Sequence, residues 1–171
     1  MRFFSGFSLC DDRRFFESYD RGGDYTLGGF SYGAIKAASY AAQADERIDT
    51  LQLFSPAFFQ TRKESFKRLQ LAGYLKDPQG YLEKFRASCF EPCPIQSVGA
   101  GDHSALALEE LLYFVWDTEL MEKIRAKGTR IEVYLGLEDR IIDVAGARDF
   151  FLPYATVTSI RGANHFLQEC L

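Results

Sequence analysis

The segment Gly29-Phe30-Ser31-Tyr32-Gly33 constrains the fold of this chain more than any other feature. It lies between a strand-like run at residues 24–28 and a helix-forming run at residues 34–38. A G-x-S-x-G segment between a strand and a helix forms a nucleophile elbow, a turn so tight that side chains flanking the serine would collide. Glycine at positions 29 and 33 removes those collisions. The motif predicts that Ser31 is a nucleophile at the positive end of the following helix.

A nucleophilic serine needs a base, and the chain contains two histidines. His103 lies in a turn-rich stretch before a predicted helix, where we expect it to be solvated. His165 follows the β-branched run at residues 155–160, on the loop after the last predicted strand. A chain ordered serine, acid, histidine places its base there. We therefore predict that His165 deprotonates Ser31.

The acid is expected at the end of the strand that precedes the histidine loop. Residues 130–137 alternate in the manner of a strand and run into three candidate acids. Asp139 is in the first turn beyond this strand, from which its carboxylate can point towards His165. Asp143 is better suited to cap the helix that begins at residue 144. Glu138 has the opposite side-chain parity and is expected to face solvent. Asp139 is the predicted acid, and the other two remain alternatives.

A second group of oxyanion donors is expected near the amino terminus. Residues 1–4 form a short predicted strand that leads into the loop Ser5-Gly6-Phe7-Ser8-Leu9. Many hydrolases carry a His-Gly-aromatic turn here, and Ser5 replaces the histidine in this chain. We predict that the backbone N–H groups of Phe7 and Tyr32 bind the oxyanion, with their rings lining the acyl site.

The order of Ser31, Asp139 and His165 resembles that of the α/β-hydrolase family. The predicted fold class is therefore α/β, a trimmed α/β-hydrolase fold in one domain of 171 residues. Helical patterns alternate with strand candidates, as in a mainly parallel sheet of about five strands. The candidates lie at residues 2–5, 25–29, 49–54, 131–136 and 155–160. The usual hydrolase has a further strand and helix between the amino-terminal loop and the elbow, but the residues between Leu9 and Asp24 allow only one helix. We therefore expect a trimmed fold that also lacks the first antiparallel strands of the usual hydrolase. An insertion at about residues 56–127 is predicted to form a helical cap.

One face of such a sheet lacks helices of its own. Right-handed crossovers between sequentially ordered strands place their helices on the same face. The other face then needs cover from the insertion, from a terminus or from a second subunit. A homodimer is therefore one hypothesis for this chain.

Several longer segments resemble a narrow group of enzymes. The chain is similar to the short pimeloyl-acyl-carrier-protein methyl ester esterases of Helicobacter-type bacteria, within the α/β-hydrolase superfamily. The matching segments are Met1-Arg-Phe-Phe-Ser-Gly-Phe7, Gly29 to Lys36, Leu53-Phe-Ser-Pro56, Phe66-Lys-Arg-Leu-Gln-Leu71, Lys76-Asp-Pro-Gln79 and Gly136-Leu-Glu-Asp-Arg-Ile141. The resemblance implies hydrolysis of the methyl ester of a pimeloyl chain on acyl carrier protein, a step of biotin biosynthesis. The residues themselves indicate only a serine acyl hydrolase. An acyl thioesterase, a generic short-chain carboxylesterase and a non-catalytic acyl-carrier-binding protein remain alternatives.

The charge of the insertion is consistent with an acidic partner. Residues 60–90 contain seven cations and three carboxylates, a net charge of +4, whereas the whole chain carries −4. A basic cap would steer an acidic acyl carrier protein to the site. The predicted docking residues are Arg62, Lys63, Lys67 and Arg68. The alternative is a solvated amphipathic helix whose apolar side is Phe66, Leu69 and Leu71.

Other classes of function find little support in the sequence. No Gly-rich phosphate loop or metal-ligand spacing is present, so we expect no cofactor and no metal. The charge balance argues against nucleic acid binding, and no apolar run approaches the ~18 residues of a membrane span. Acidic residues follow the apolar amino terminus too early for a signal peptide, which predicts a cytoplasmic protein. Reduced thiols are therefore expected at Cys10, Cys89, Cys93 and Cys170.

Overall fold

The computed structural model describes residues 1–170. In chain order its strands are β1 (Arg2–Phe4), β2 (Leu9–Cys10), β3 (Thr26–Phe30), β4 (Thr50–Phe54), β5 (Gly99–Ala100), β6 (Arg130–Gly136) and β7 (Thr156–Ile160). Its helices are α1 (Tyr32–Gln43), α2 (Glu64–Lys76), α3 (Pro78–Phe90), α4 (Ala105–Tyr113), α5 (Thr118–Ala126) and α6 (Val144–Phe151). A short 3-10 helix covers Asp12–Phe16.

Five strands form one parallel sheet in the order β1-β3-β4-β6-β7, and β2 pairs with β5 in a separate antiparallel ribbon. The predicted fold class is confirmed, including the five-stranded parallel sheet. Because the strands are parallel, their carboxyl ends meet at one edge. The loops after β3, β6 and β7 therefore converge at this edge.

The sheet packs on both of its faces. Alternate residues of β4 and β6, among them Leu53 and Val133, enter the core beside α1. On the opposite face, the Phe16 ring stacks on Phe54 with centroids 4.7 Å apart, and Phe166 packs on Phe30 at 4.8 Å. The 3-10 helix and the segment after His165 thus cover this part of the second face. The homodimer remains a prediction.

The insertion between β4 and β6 contains two kinds of helix. Helix α2 packs against α3 and α4, and these three form the cap above the carboxyl edge of the sheet. Helix α5 instead packs against α1, in the layer beside the sheet. It serves as the crossover into β6. The cap helices therefore end earlier than the predicted limit at residue 127.

One expectation about the cysteines differs from the structure. Cys93 and Cys170 form a disulfide, with Cα atoms 5.5 Å apart, a separation that a disulfide spans. The two residues meet because the segment after β7 packs against the end of α3, where the Asn164 side-chain amide donates to the Phe90 carbonyl at 2.8 Å. Cys10 and Cys89 are free thiols.

Within residues 1–170, no helix has both the length and the apolar character that crossing a bilayer requires. The same residues hold no cluster of three or more side chains suited to binding a metal ion.

Candidate active site

Ser31 occupies a strained turn between β3 and α1. Its backbone angles are φ 53° and ψ −113°, a combination that residues other than glycine rarely adopt. A Cβ at Gly29 would collide with the Gly33 carbonyl, and a Cβ at Gly33 would collide with the Phe4 carbonyl. The two glycines therefore permit the close approach of α1 to β1 and β3, which raises Ser31 above the sheet edge.

The residues predicted as nucleophile, base and acid are joined by two consecutive hydrogen bonds. His165 Nε2 is 3.0 Å from Ser31 Oγ, and His165 Nδ1 is 2.6 Å from Asp139 Oδ2. Ser31, His165 and Asp139 are only 5%, 1% and 8% exposed, so the hydrogen bonds are shielded from water. This arrangement lets Ser31 donate to the imidazole while the imidazole donates to Asp139.

Backbone groups fix the Asp139 carboxylate. Its Oδ1 accepts the N–H of Ile141 at 2.8 Å, which leaves Oδ2 directed at His165. Gly136 allows the histidine loop to approach the end of β6, because a Cβ at this position would clash with the backbone carbonyls of Ala163 and Asn164.

The two alternative acids have other surroundings. Asp143 caps α6 by accepting the Gly146 N–H at 3.1 Å, and it accepts the Thr61 hydroxyl at 2.7 Å. The Thr61 hydrogen bond and the Gly146 N–H lower the pKa of the Asp143 carboxyl. Glu138 is exposed. Neither carboxylate contacts His165.

The histidine loop depends on a residue that the sequence analysis did not single out. Asn164 is fully buried, and its Oδ1 accepts the N–H groups of Phe166 at 2.9 Å and Gln168 at 3.1 Å. These bonds close the turn that presents His165. The only sequence signal is an Asn in the position before the histidine, a residue type that commonly bonds its own backbone in turns. His165 also packs against the Phe30 ring at 4.9 Å.

The two predicted oxyanion donors lie on either side of Ser31 in the chain and are both buried. Their rings meet edge to face with centroids 6.4 Å apart. Within residues 1–170, neither the Phe7 N–H nor the Tyr32 N–H has a hydrogen-bond acceptor. Tyr32 is the first residue of α1, whose N–H has no partner inside the helix. Both amides are thus available to a ligand.

A largely apolar cavity of about 320 Å³ lies between the cap and the carboxyl edge of the sheet. Its lining includes Ile141, two residues beyond Asp139, and Phe85, whose ring packs against Phe7. The rings of Phe7 and Tyr32 are not part of this lining, which differs from the expectation that they line the acyl site. Burial raises the pKa of the Tyr81 phenol in the cavity to about 12. Two cations, Lys84 and Arg140, are part of the lining. The remaining lining residues are Phe59, Phe66, Gln70, Ser88, Leu108, Leu111 and Leu112.

The predicted docking residues do not share one exposed face. Arg62, Lys63 and Arg68 are exposed, but Lys67 is only 8% exposed, with its ammonium 4.9 Å from the Tyr113 ring. This corrects the expectation for Lys67, whose aliphatic stem packs between α2 and α4. None of the four lines the cavity. The apolar side predicted for α2 also differs, because Leu69 is 68% exposed.

The comparisons with known proteins give the fold. No protein-family model matches the chain, and no curated protein matches it. Among solved structures, a carboxylesterase of the thaumarchaeon Nitrososphaera gargenis superposes with a TM-score of 0.60 at 20% identity, covering 91% of this chain and 62% of that one. Naproxen esterase from Bacillus subtilis superposes with a TM-score of 0.56 at 18% identity, covering 83% of this chain and 53% of that one. E-2-(acetamidomethylene)succinate hydrolase superposes with a TM-score of 0.57 at 14% identity, covering 96% of this chain and 84% of that one.

The fold is therefore that of the α/β-hydrolases. Ser31, Asp139 and His165 follow one another in the predicted chain order of serine, acid and histidine. This chain spans 62% of the length of the archaeal esterase.

Proposed function

We propose that this chain is a serine carboxylic ester hydrolase. The observation that carries the proposal is the shielded line of hydrogen bonds from Ser31 through His165 to Asp139. The pairing of Asp139 with His165 offsets the cost of burying both groups, but it does not require Ser31 Oγ to lie 3.0 Å from the other ring nitrogen. The esterases that share the fold support the same reaction class.

The geometry supports a two-step acyl transfer. Ser31 Oγ attacks the ester carbonyl as His165 Nε2 takes its proton, and Asp139 stabilises the imidazolium. The carbonyl oxygen becomes an oxyanion, for which the N–H groups of Phe7 and Tyr32 are the available donors. The alkoxide leaves with the proton from His165, which gives an acyl-enzyme. Water then repeats the sequence, so that a carboxylic acid is released and Ser31 regains its proton.

The specific substrate we propose is the methyl ester of pimeloyl-acyl carrier protein, with methanol as the leaving group. The resemblance in the sequence is the source of this proposal. The apolar cavity beside Ile141 suits the methylene chain of such a substrate. Lys84 and Arg140 suit the anionic arm and the acidic surface of a carrier protein. Biotin biosynthesis and a cytoplasmic location are part of the same proposal.

Mass spectrometry of methyl-pimeloyl carrier protein tests the substrate. We expect wild-type protein to remove the methyl group and leave the carrier thioester intact, and Ser31→Ala to leave the substrate unchanged. Release of bare phosphopantetheinyl carrier would identify an acyl thioesterase instead. Equal hydrolysis of methyl pimelate without a carrier would indicate a generic carboxylesterase. A protein that binds the carrier but resists labelling of Ser31 by a fluorophosphonate would be non-catalytic.

A further inference from the structure

The loop that presents Phe7 is strained and needs outside support. Ser8 adopts a left-handed backbone conformation, with a φ of 60°. Such conformations in residues other than glycine persist only where the surroundings determine them. We call residues 5–8 the oxyanion loop. What holds this loop also fixes the direction of the Phe7 N–H.

Asp12 supports the oxyanion loop from below. Its Oδ2 accepts the N–H of Gly6, the residue before Phe7, at 2.8 Å. The Asp12 side chain is fully buried. Within residues 1–170 its Oδ1 has no hydrogen-bond partner and the carboxylate forms no ion pair. Burial of a carboxylate without a cation is costly. Asp12 therefore does not act as a stabilising ion pair, and what its burial provides is a fixed acceptor for the Gly6 N–H.

The cap supports the same loop from above. The Ser8 carbonyl accepts two hydrogen bonds, from the Gly101 N–H at 2.9 Å and from Arg86 Nη2 at 3.2 Å. Arg86 belongs to α3, and Gly101 follows β5, the strand that pairs with β2 directly after the loop. A charged donor makes a stronger bond than a neutral one, so the guanidinium contributes more than an ordinary contact.

From these contacts we infer that Asp12 and Arg86 are positioning residues for the oxyanion site. Asp12 fixes the Ser5–Gly6 peptide and Arg86 fixes the Ser8–Leu9 peptide, so that the Phe7 N–H between them points to the carbonyl oxygen under attack. The inference rests on the proposed ester hydrolase function. It also makes the cap a part of the catalytic geometry, because α3 supplies Arg86.

The test uses the full chain with p-nitrophenyl butanoate as substrate. We expect Asp12→Ala to lower kcat by about 10- to 100-fold with little change in KM, somewhat less than the ~10²–10³ of deleting an oxyanion donor. Asp12→Asn should recover most of this loss, because the amide oxygen can accept the Gly6 N–H. Asp11→Asn, at the exposed neighbouring carboxylate, is the matched control and should retain wild-type activity.

A second readout separates positioning from general destabilisation. Ser31 Oγ attacks the carbonyl carbon of a trifluoromethyl ketone while its proton passes to His165. The ketone oxygen then becomes an oxyanion at the site. We expect the inhibition constant of this ketone to rise in Asp12→Ala by the same factor as kcat/KM falls. A loss of activity without weaker inhibition would overturn the inference.

Arg86→Gln keeps the inference testable if Asp12→Ala does not fold. It should lower kcat by about 3- to 10-fold, and the pair of substitutions should cost less than the product of the single effects, because both act on one loop. Arg148→Gln on α6 is the control. If wild-type protein hydrolyses the ester through Ser31 while Asp12→Ala and Arg86→Gln match it, the inference is wrong and the proposed function stands. If wild-type protein hydrolyses no ester, the proposed function itself fails.

Discussion

The Tyr32 hydroxyl donates a 2.5 Å hydrogen bond to Glu110 Oε2, which links the residue after the nucleophile to helix α4 of the cap. Burial and the Glu110 carboxylate raise the pKa of the Tyr32 phenol, so this oxygen stays protonated and remains a donor. Lys36 lies over the same ring, 4.3 Å from its centroid. The first turn of α1 is therefore held from the cap side as well as by its own helix.

Removal of the Tyr32–Glu110 contact should slow the reaction modestly. We expect Tyr32→Phe and Glu110→Ala each to lower kcat by about 3- to 10-fold, in keeping with a charge-assisted hydrogen bond that acts only indirectly on the reaction. The double variant should be no slower than either single one. Additive losses, measured with p-nitrophenyl butanoate, would show that the two side chains act independently.

Asp139 and the alternative acid Glu138 can be separated by activity. Asp139→Asn should reduce kcat by about 10³- to 10⁴-fold, because an amide favours the wrong imidazole tautomer. Glu138→Gln keeps the shape of an exposed neighbouring side chain and should leave kcat unchanged. Steady-state hydrolysis by the two variants decides the assignment, and comparable losses in both would contradict it.

The apolar cavity should determine chain-length preference. Leu111→Trp places a larger ring in the lining, so hydrolysis of p-nitrophenyl octanoate should fall much more than hydrolysis of the acetate. Leu106→Trp is a matched control on the same helix, since Leu106 is 74% exposed. If Leu111→Trp slowed both esters equally, the acyl chain would bind elsewhere.

Carrier docking should depend on the cations at the cavity rather than on the start of α2. For a carrier-linked ester, Lys84→Gln with Arg140→Gln is expected to raise KM several-fold, and the effect should shrink at high salt. Hydrolysis of p-nitrophenyl acetate, which has no carrier, should be unaffected. The comparison variant replaces Arg62, Lys63 and Arg68 by Gln. A larger effect in that triple variant would place docking on α2, as the sequence analysis expected.

Asp143 should make stability depend on pH. Its folded pKa is lowered, chiefly by the Thr61 hydroxyl, so its contribution is present above the unfolded pKa of about 4 and is lost as pH falls through the folded value. Thr61→Val should therefore lower the free energy of unfolding at pH 6, and the difference should disappear in stronger acid. Urea denaturation at both pH values measures it. Thr118→Val, which loses a bond to the Tyr154 hydroxyl, should show a difference independent of pH.

The sequence predicted those parts of the site that depend on local pattern. The elbow glycines, the alternation in β6 and the β-branched run of β7 each specify an element, and the parallel sheet brings the ends of these elements together. That is why Ser31, Asp139 and His165 could be proposed before any coordinates were known.

The supporting contacts could not be read in the same way, because they join residues far apart in the chain. Glu110 meets Tyr32 across 78 positions, and Arg86 reaches the Ser8 carbonyl across another 78. Lys67 illustrates the opposite error. Its position among cations indicated an exposed face, but packing of α2 on α4 buries it. Tertiary packing determines both the long-range hydrogen bonds and the burial of Lys67. The periodicity of residues along one helix carries no information about that packing.

The strict agreement between sheet order and chain order has a consequence for biosynthesis. A ribosome that has released the chain as far as the loop after β6 has already produced Ser31 and Asp139, and the sheet can grow strand by strand from one edge. The imidazole follows only after β7, the strand that completes the far edge of the sheet. A nascent chain that stops before β7 therefore lacks the proposed base, although the proposed nucleophile and acid have already been made.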